Sequence, residues 1–368
     1  MEVPEYAAGV EFTPEEVERA RRYHRPLYAA LGADALLAAA VLLVLATGPA
    51  GDAVYRPLHG IPWAPRTIAF AALVALIGDL VRLPLSFWSG YAHERRWGFS
   101  TQTVGGWLAD RAKSAAVGIV LSGAALLGLV GLAHALPGSW PVPAAAGAAL
   151  LVLLLSFVAP VVLEPIFNRF EPLADEELAA DLRALAERAG VPVREVLVAD
   201  ASRRTTKSNA YVSGIGRTRR VVLYDTLLRE AGPAEVRLVV AHELGHRREQ
   251  HVSKGTLLLM GGAVAGVAGV WAALGTGAGD PRNLPWVLLV GLGLELAGMP
   301  LLATVLRRWE RTADRLALEL TRDPAAFASA IRSLAVSNLS DLDPPRPLYL
   351  ILFTHPTPPE RLAAVTQR

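Results

Sequence analysis

Hydrophobic positions in this chain come in blocks. Six stretches are apolar over about the twenty residues that a helix needs to cross a bilayer: residues 27–48, 67–88, 114–136, 142–163, 255–276 and 285–306. A large soluble core can bury one or two such helices. Six near-spanning runs in one chain are instead the pattern of a membrane protein.

The polar segments between them have their own patterns. The N-terminal arm carries "TPEEVERARRYHR", with an N-cap threonine and acids in the first turn. It predicts a short surface helix ahead of the first span. Its length and its glutamates are unlike the basic start of a cleaved signal peptide. The block 164–254 is too long for a simple loop. Within it, "DEELAADLRALAERAG" reads as an amphipathic helix ending at glycine and "VREVLVAD" as a strand. "NAYVSGIGRTRRVVLYDTLL" reads as a hairpin around a Gly-x-Gly turn, and "GPAEVRLVVAHELGHRREQH" as one helix with proline in its first turn. The C-terminal region reads as helices separated by the loops "DLDPPRP" and "THPTPPE". The expected organisation is therefore 1–163 (arm and spans one to four), 164–254 (a polar α+β domain), 255–306 (spans five and six) and 307–368 (a helical region completing that domain).

Composition and charge narrow the function. The chain is 52% hydrophobic and 19% charged, with a net charge of +2 that is too small to suggest a nucleic-acid partner. It has no cysteine, so disulfides, thiolate metal sites and a cysteine nucleophile are excluded. Arg19, Arg21, Arg22 and Arg25 of the arm, Arg95, Arg96, Arg111 and Lys113 of the second loop, and the Arg-rich segments 164–254 and 307–368 all fall on one side of a six-span layout. The alternate loops hold only Arg56, Arg66 and Arg282. By the positive-inside rule the basic side, with both termini, is cytoplasmic.

The chemistry concentrates in "VVAHELGHRREQH". His242 and His246, four apart, share a helical face and can reach one Zn²⁺; Glu243 lies at the edge of that face, where it can take a proton from zinc-bound water. Zinc needs a third protein ligand. Glu310, in "ERTAD", is one choice, with Asp314 holding a ligand histidine from behind. The same two acids also fit an i,i+4 pair on a solvated face. His251, five residues beyond His246 on what reads as the same helix, is the other ligand choice, but would point away from the histidine face.

These segments resemble the type I CAAX prenyl proteases, integral-membrane zinc peptidases of the gluzincin kind. The likeness is carried in order by "ERRWGFSTQT", "WLADRAKS", "EPIFNRFEPL", "SNAYVSGIG", "VVLYDTLL", "HELGH", "ERTAD" and "THPTPPERL". The resemblance implies a mainly α membrane protein: six or seven transmembrane helices around a water-filled chamber, with an α+β zinc-metallopeptidase domain on the cytoplasmic side. It implies one Zn²⁺ per chain on His242, His246 and Glu310, with Glu243 as general base and Asp314 behind a ligand histidine. It places Asn209 and Ala210 beside the substrate backbone, has His355 donate to the oxyanion and has Arg361 brace that region. The implied partners are a peptide or protein substrate, with or without a lipid, and membrane lipid. The Ala/Leu/Arg/Gly/Pro bias suggests a GC-rich bacterium, hence its cytoplasmic membrane. Family members in eukaryotes have seven spans against the six counted here. An HtpX-type quality-control protease shares the zinc motif but has fewer spans. A transporter or lipid-binding protein with structural zinc would have no need of Glu243.

Four charges fall inside predicted spans: Asp34, Asp79, Arg82 and Glu295. Such residues face a cavity or a partner. Asp79 and Arg82, three apart, are expected to pair with each other, and Glu295 to face the chamber.

Overall fold

The computed structural model describes residues 12–214 and 216–366. Its first part is a run of long helices: α1 (Pro14–Thr47), α2 (Trp63–Phe87), α3 (Val104–Ala135) and α4 (Pro141–Val158). The wide turn Trp88–His93 continues α2. A polar block follows: strand β1 (Phe170–Pro172), helix α5 (Glu176–Arg188), strands β2 (Glu195–Ala199), β3 (Ala210–Ser213) and β4 (Arg220–Tyr224), and helix α6 (Pro233–Arg248). The chain returns to apolar helices α7 (His251–Leu274) and α8 (Leu284–Thr321) and closes with α9 (Pro324–Ser337), α10 (Arg346–Leu352) and α11 (Pro358–Thr366).

Among the described residues six helices are long and apolar enough to cross a membrane: α1 to α4, α7 and α8. Their outward faces expose large side chains such as Leu36, Val120, Leu150, Val161, Leu257 and Leu301, as lipid-facing surfaces do. Inside, Phe70, Val130, Trp140 and Leu284 form a close-packed centre.

Three local expectations are corrected. The arm does not form a separate surface helix. Thr13 caps it as expected, accepting from Glu16 N at 3.2 Å while Glu16 reaches back to Thr13 N at 2.8 Å. The helix then runs on through Pro26 into the first span. It continues because the arm has an apolar stripe of its own: Ala20 packs on Ala335 and Leu342, and Tyr23 on Phe99 and Leu339. Secondly, Asp79 and Arg82 do not pair with each other. Arg82 Nε donates to Asp34 Oδ1 of α1 at 2.8 Å, and Arg111 of α3 bonds Asp79 at 2.6 Å. Charges on adjacent helices offered better geometry than a neighbour on the same helix. Each pair therefore ties two spans together. Thirdly, "GPAEVRLVVAHELGHRREQH" is not one helix. Gln250 takes left-handed backbone (φ 58°), and His251 opens α7 in a new direction.

The ion pairs line two adjoining cavities among the spans, of about 590 and 640 Å³. Arg82, Arg111 and Ser114 border both. Glu295 lines the larger, together with Asp79.

The four strands form one sheet in the order β1-β2-β4-β3, with β2 and β4 parallel and the outer pairings antiparallel. The expected hairpin is β3–β4. Its turn needs glycine: Gly214 has φ +79°, and an added Cβ would strike the Thr218 carbonyl. One face of the sheet carries Val221 and Leu223 into a core with Leu182, Leu185, Val240 and Leu244. This core fixes α6 beside the edge strand β3. Helix α8 runs unbroken from the apolar spans to "ERTAD", so the membrane helices and the polar domain share one rigid element.

A test of the inter-span pairing follows. Arg82→Met leaves Asp34 without its partner among the spans and should lower the thermal unfolding midpoint in detergent. The double variant Asp34→Asn/Arg82→Met should recover most of that loss, with a coupling of roughly 0.5–3 kcal/mol. Additive losses would mean the pair contributes nothing.

Candidate metal centre and cleft

Helix α6 presents His242 and His246 on one face, and α8 presents Glu310 opposite them. The helices come close because Gly245 has no side chain. A Cβ there would lie 3.2 Å from the Cα and carbonyl oxygen of Ala313, and 3.4 Å from Leu316 Cβ. At that separation Glu310 reaches both histidines. His242 Nε2 lies 3.2 Å from Glu310 Oε2, His246 Nε2 lies 3.2 Å from Glu310 Oε1, and the two histidine nitrogens are 3.2 Å apart.

Do these atoms fit a metal? Tetrahedral zinc with nitrogen and oxygen ligands at about 2.0–2.1 Å sets its ligand atoms roughly 3.3 Å from one another. The two histidine nitrogens match that spacing, each is 3.2 Å from one of the two Glu310 oxygens, and one ligand atom from each residue lies within 4.8 Å of the others. Glu310 is 6% exposed, and its Oε2 is buried without a well-directed hydrogen bond although His242 Nε2 is near. Buried polar atoms normally find a partner. Donor atoms that converge on a common point rather than along each other's hydrogen-bond directions suit a cation between them. Among the described residues, His242, His246 and Glu310 form the one group of this kind.

The residues behind the ligands are equally defined. His242 Nδ1 is 2.9 Å from Asp314 Oδ1, so Nε2 is left facing the cluster. Arg361 of α11 clamps Asp314, donating from Nε at 2.9 Å and from Nη2 at 2.5 Å. Burial works against charge on His242, but its bonds to Asp314 and Glu310 outweigh this and raise its pKa to about 10. A metal entering the cluster must therefore displace a proton from this ring.

Glu243 and His242 border a cleft of about 430 Å³ that is also lined by Asn209, His355, Arg361 and Phe353. Burial raises the Glu243 carboxyl above the usual range, against the pull of the two histidines. That direction suits a group that must exchange a proton near neutral pH. His355 Nε2 is 3.3 Å from Glu310 Oε1, and its side chain is 61% exposed, so it stands at the rim. Asn209 sits just before β3. Its Oδ1 accepts from Ala210 N at 2.9 Å, while its carbonyl accepts from Tyr224 N at 3.0 Å. The structure thus brings His242, Glu243, His246, Glu310, Asp314, His355 and Arg361 together, with Asn209 on the cleft wall and Ala210 opening the adjacent strand.

Two further residues belong to this arrangement: His251, whose direction the spacing misjudges, and Arg307, which has no sequence signal of its own. His251 does not point away. Turned back by the bend at Gln250, its Nδ1 lies 3.1 Å from His246 Nδ1, and its ring stacks on Trp309 at 5.0 Å. Arg307, 5% exposed, donates to the Tyr349 carbonyl at 3.0 Å and the Phe353 carbonyl at 2.6 Å. It ties down the end of α10 just before the loop that carries His355.

Comparison with known proteins places these features in a family. The family model of peptidase family M48 matches residues 172–368, and that of the CAAX prenyl protease N-terminal region, five membrane helices, matches residues 1–169. Within the second interval the described residues hold four spanning helices, one fewer than that description. An uncharacterized metalloprotease of Bacillus subtilis, YhfN, is 31% identical over 312 residues, covering 81% of this chain and 72% of the relative. CAAX prenyl protease 1 of Saccharomyces cerevisiae is 32% identical over 195 residues; the match covers 53% of this chain and 43% of the yeast protein's length. Among solved structures, S. mikatae Ste24p superposes with a TM-score of 0.84 at 24% identity, over 99% of this chain and 93% of that one.

Two substitutions probe how the centre is built. Gly245→Val should force α6 from α8 and weaken zinc retention against a chelator. Asp314→Ala should weaken it by roughly 10–100-fold. Retention at the wild-type level in either variant would contradict the geometry described.

Proposed function

The chain belongs to peptidase family M48, and from that premise we propose that it is a zinc endopeptidase hydrolysing peptide bonds near the C-terminus of CAAX-type, prenylated or similar peptides. That it is an integral-membrane metalloprotease rests on the family. The finer reading rests chiefly on one observation: three ligand atoms of His242, His246 and Glu310 lie within 4.8 Å of one another, beside a buried carboxyl in a cleft.

His242, His246 and Glu310 would hold one zinc ion. The ion, when bound there, supplies a Lewis acid that polarises the scissile carbonyl and makes water acidic enough to attack at neutral pH. The remaining work falls to side chains. Glu243 takes a proton from the attacking water as the new C–O bond forms, and returns it to the amide nitrogen as the C–N bond breaks. Its raised pKa strengthens it as the base in the first of these transfers. His355 at the cleft rim donates to the oxygen that becomes negative. Arg361 keeps Asp314 in place, and Asp314 keeps His242 turned toward the metal. Asn209 and Ala210 receive the peptide backbone, with β3 as an edge for an extended chain.

Two points support a lipidated substrate. The yeast relative is named a CAAX prenyl protease. The 640 Å³ cavity among the spans has, beside its charged residues Asp79, Arg82, Arg111 and Glu295, an apolar wall that includes Val41, Leu42, Val74, Ile119 and Leu288, along which an apolar chain can lie. The distribution of arginine puts the cleft on the cytoplasmic side of the membrane, a bacterial cytoplasmic membrane by composition.

Purified protein in detergent should cleave a farnesylated CAAX peptide faster than its unprenylated twin. Glu243→Gln should retain metal and lose at least about a thousandfold in kcat, in line with loss of a proton-transfer group. Undiminished turnover in that variant would overturn the mechanism. Equal cleavage of both peptides would keep the mechanism and shift the role to broad membrane-protein quality control.

A further inference from the structure

The edge of β3 is only half open. In the β3–β4 pairing, Tyr224 N donates to the Asn209 carbonyl at 3.0 Å, and the register aligns Ala210 with Leu223 and Val212 with Val221. Antiparallel strands alternate between residues that bond their partner and residues that face away. Asn209, Tyr211 and Ser213 therefore turn toward β4, and the backbone groups of Ala210 and Val212 face outward. Among the described residues no strand lies beyond β3 in the sheet, so this is the edge a peptide would join.

Two of the four outward groups are already engaged. Ala210 N donates to the Asn209 side chain at 2.9 Å. The Val212 carbonyl accepts from Arg247 Nε at 3.1 Å and from the same guanidinium's Nη2. Arg247 directly follows the ligand His246 and lies one helical turn from Glu243. Its partly buried charge is spent on a backbone carbonyl, in a place where burial disfavours the charged form. The Ala210 carbonyl and the Val212 N–H remain. A peptide running parallel to β3 satisfies both with one residue, and an antiparallel one with two residues two apart.

We propose that Arg247 occupies the backbone acceptor that an extended substrate would otherwise use at Val212, and so limits pairing along β3 to two hydrogen bonds. The inference rests on the reading of β3 as the substrate edge. β3 begins at the cleft, which Asn209 lines, and Val212 lies three residues further, roughly 10 Å along the strand. Arg247 is thus a specificity-determining residue: it makes the site indifferent to substrate length beyond the residues that make these two bonds.

The test measures binding rather than turnover and uses full-length zinc-loaded protein carrying Glu243→Gln. Fluorescent tetrapeptides are compared with decapeptides of the same core, lengthened at the N-terminus in one series and at the C-terminus in the other. Wild-type Arg247 should bind short and long peptides alike. Arg247→Met should tighten one decapeptide series three- to tenfold and leave the tetrapeptide unchanged; Arg247→Lys, which keeps a donor, should behave like Arg247. A purely structural role would weaken all lengths together, and that result would overturn the proposal. A second measurement needs no substitution at Arg247. Replacing peptide N–H groups one at a time by N-methyl should find one sensitive amide along β3. A second sensitive amide two residues on would mean that the Val212 carbonyl is available, which would also overturn it. Hydrolysis by the Glu243 enzyme is scored separately. If no peptide binds, both the substrate-edge reading and this inference fall; if peptides bind and are cut without a length effect in Arg247→Met, only the inference falls.

Discussion

The site depends on the contact between α6 and α8 at Gly245 and Ala313. A Cβ on Gly245 would come within 3.2 Å of the backbone of α8. Close approach of two helices fixes the positions of whatever side chains stand one turn away, because packed helices are rigid on the scale of a metal–ligand bond. His242 and His246 stand on one side of that contact and Glu310 on the other. The glycine inside "HELGH" thus matters as much as the three residues that give the motif its chemistry.

The second consequence comes through α8. This helix leaves the apolar spans and enters the polar domain without a break. Arg307 near the crossing holds the end of α10, and α1 crosses in the same way to pack on the C-terminal region. The candidate metal centre is therefore built on elements anchored in the membrane. The ion pairs Asp34–Arg82 and Asp79–Arg111 add ties between neighbouring spans. These charges line cavities, where water can lower the cost of placing them at membrane depth.

What was legible in the sequence was what is local. An i,i+4 spacing put His242 and His246 on one face, the Gly-x-Gly turn announced the β3–β4 hairpin, and apolar runs of sufficient length marked six spans. What depended on the return of the chain was not. Glu310 and His251 were both open as partners of the histidines until the bend at Gln250 turned His251 behind His246. Asp79 and Arg82 read as a pair because spacing along one helix cannot reveal charges on its neighbours. The arm reads as a separate helix because a change from polar to apolar composition resembles a boundary, though the helix runs on across it through Pro26. The parallel pairing of β2 with β4, and the three-residue strand β1 containing Pro172, carry almost no local signal. Arg247 reads as one more basic residue after the motif; only the sheet register gives it a task.

The central claim is that a single zinc ion held by His242, His246 and Glu310 makes this chain a peptidase. Zinc content per chain, measured by elemental analysis on purified wild type and on Glu310→Ala, tests it most directly. The account predicts close to one zinc per wild-type chain and almost none in the variant after brief dialysis against chelator. Full zinc occupancy in Glu310→Ala, or none in the wild type after purification with zinc, would contradict it.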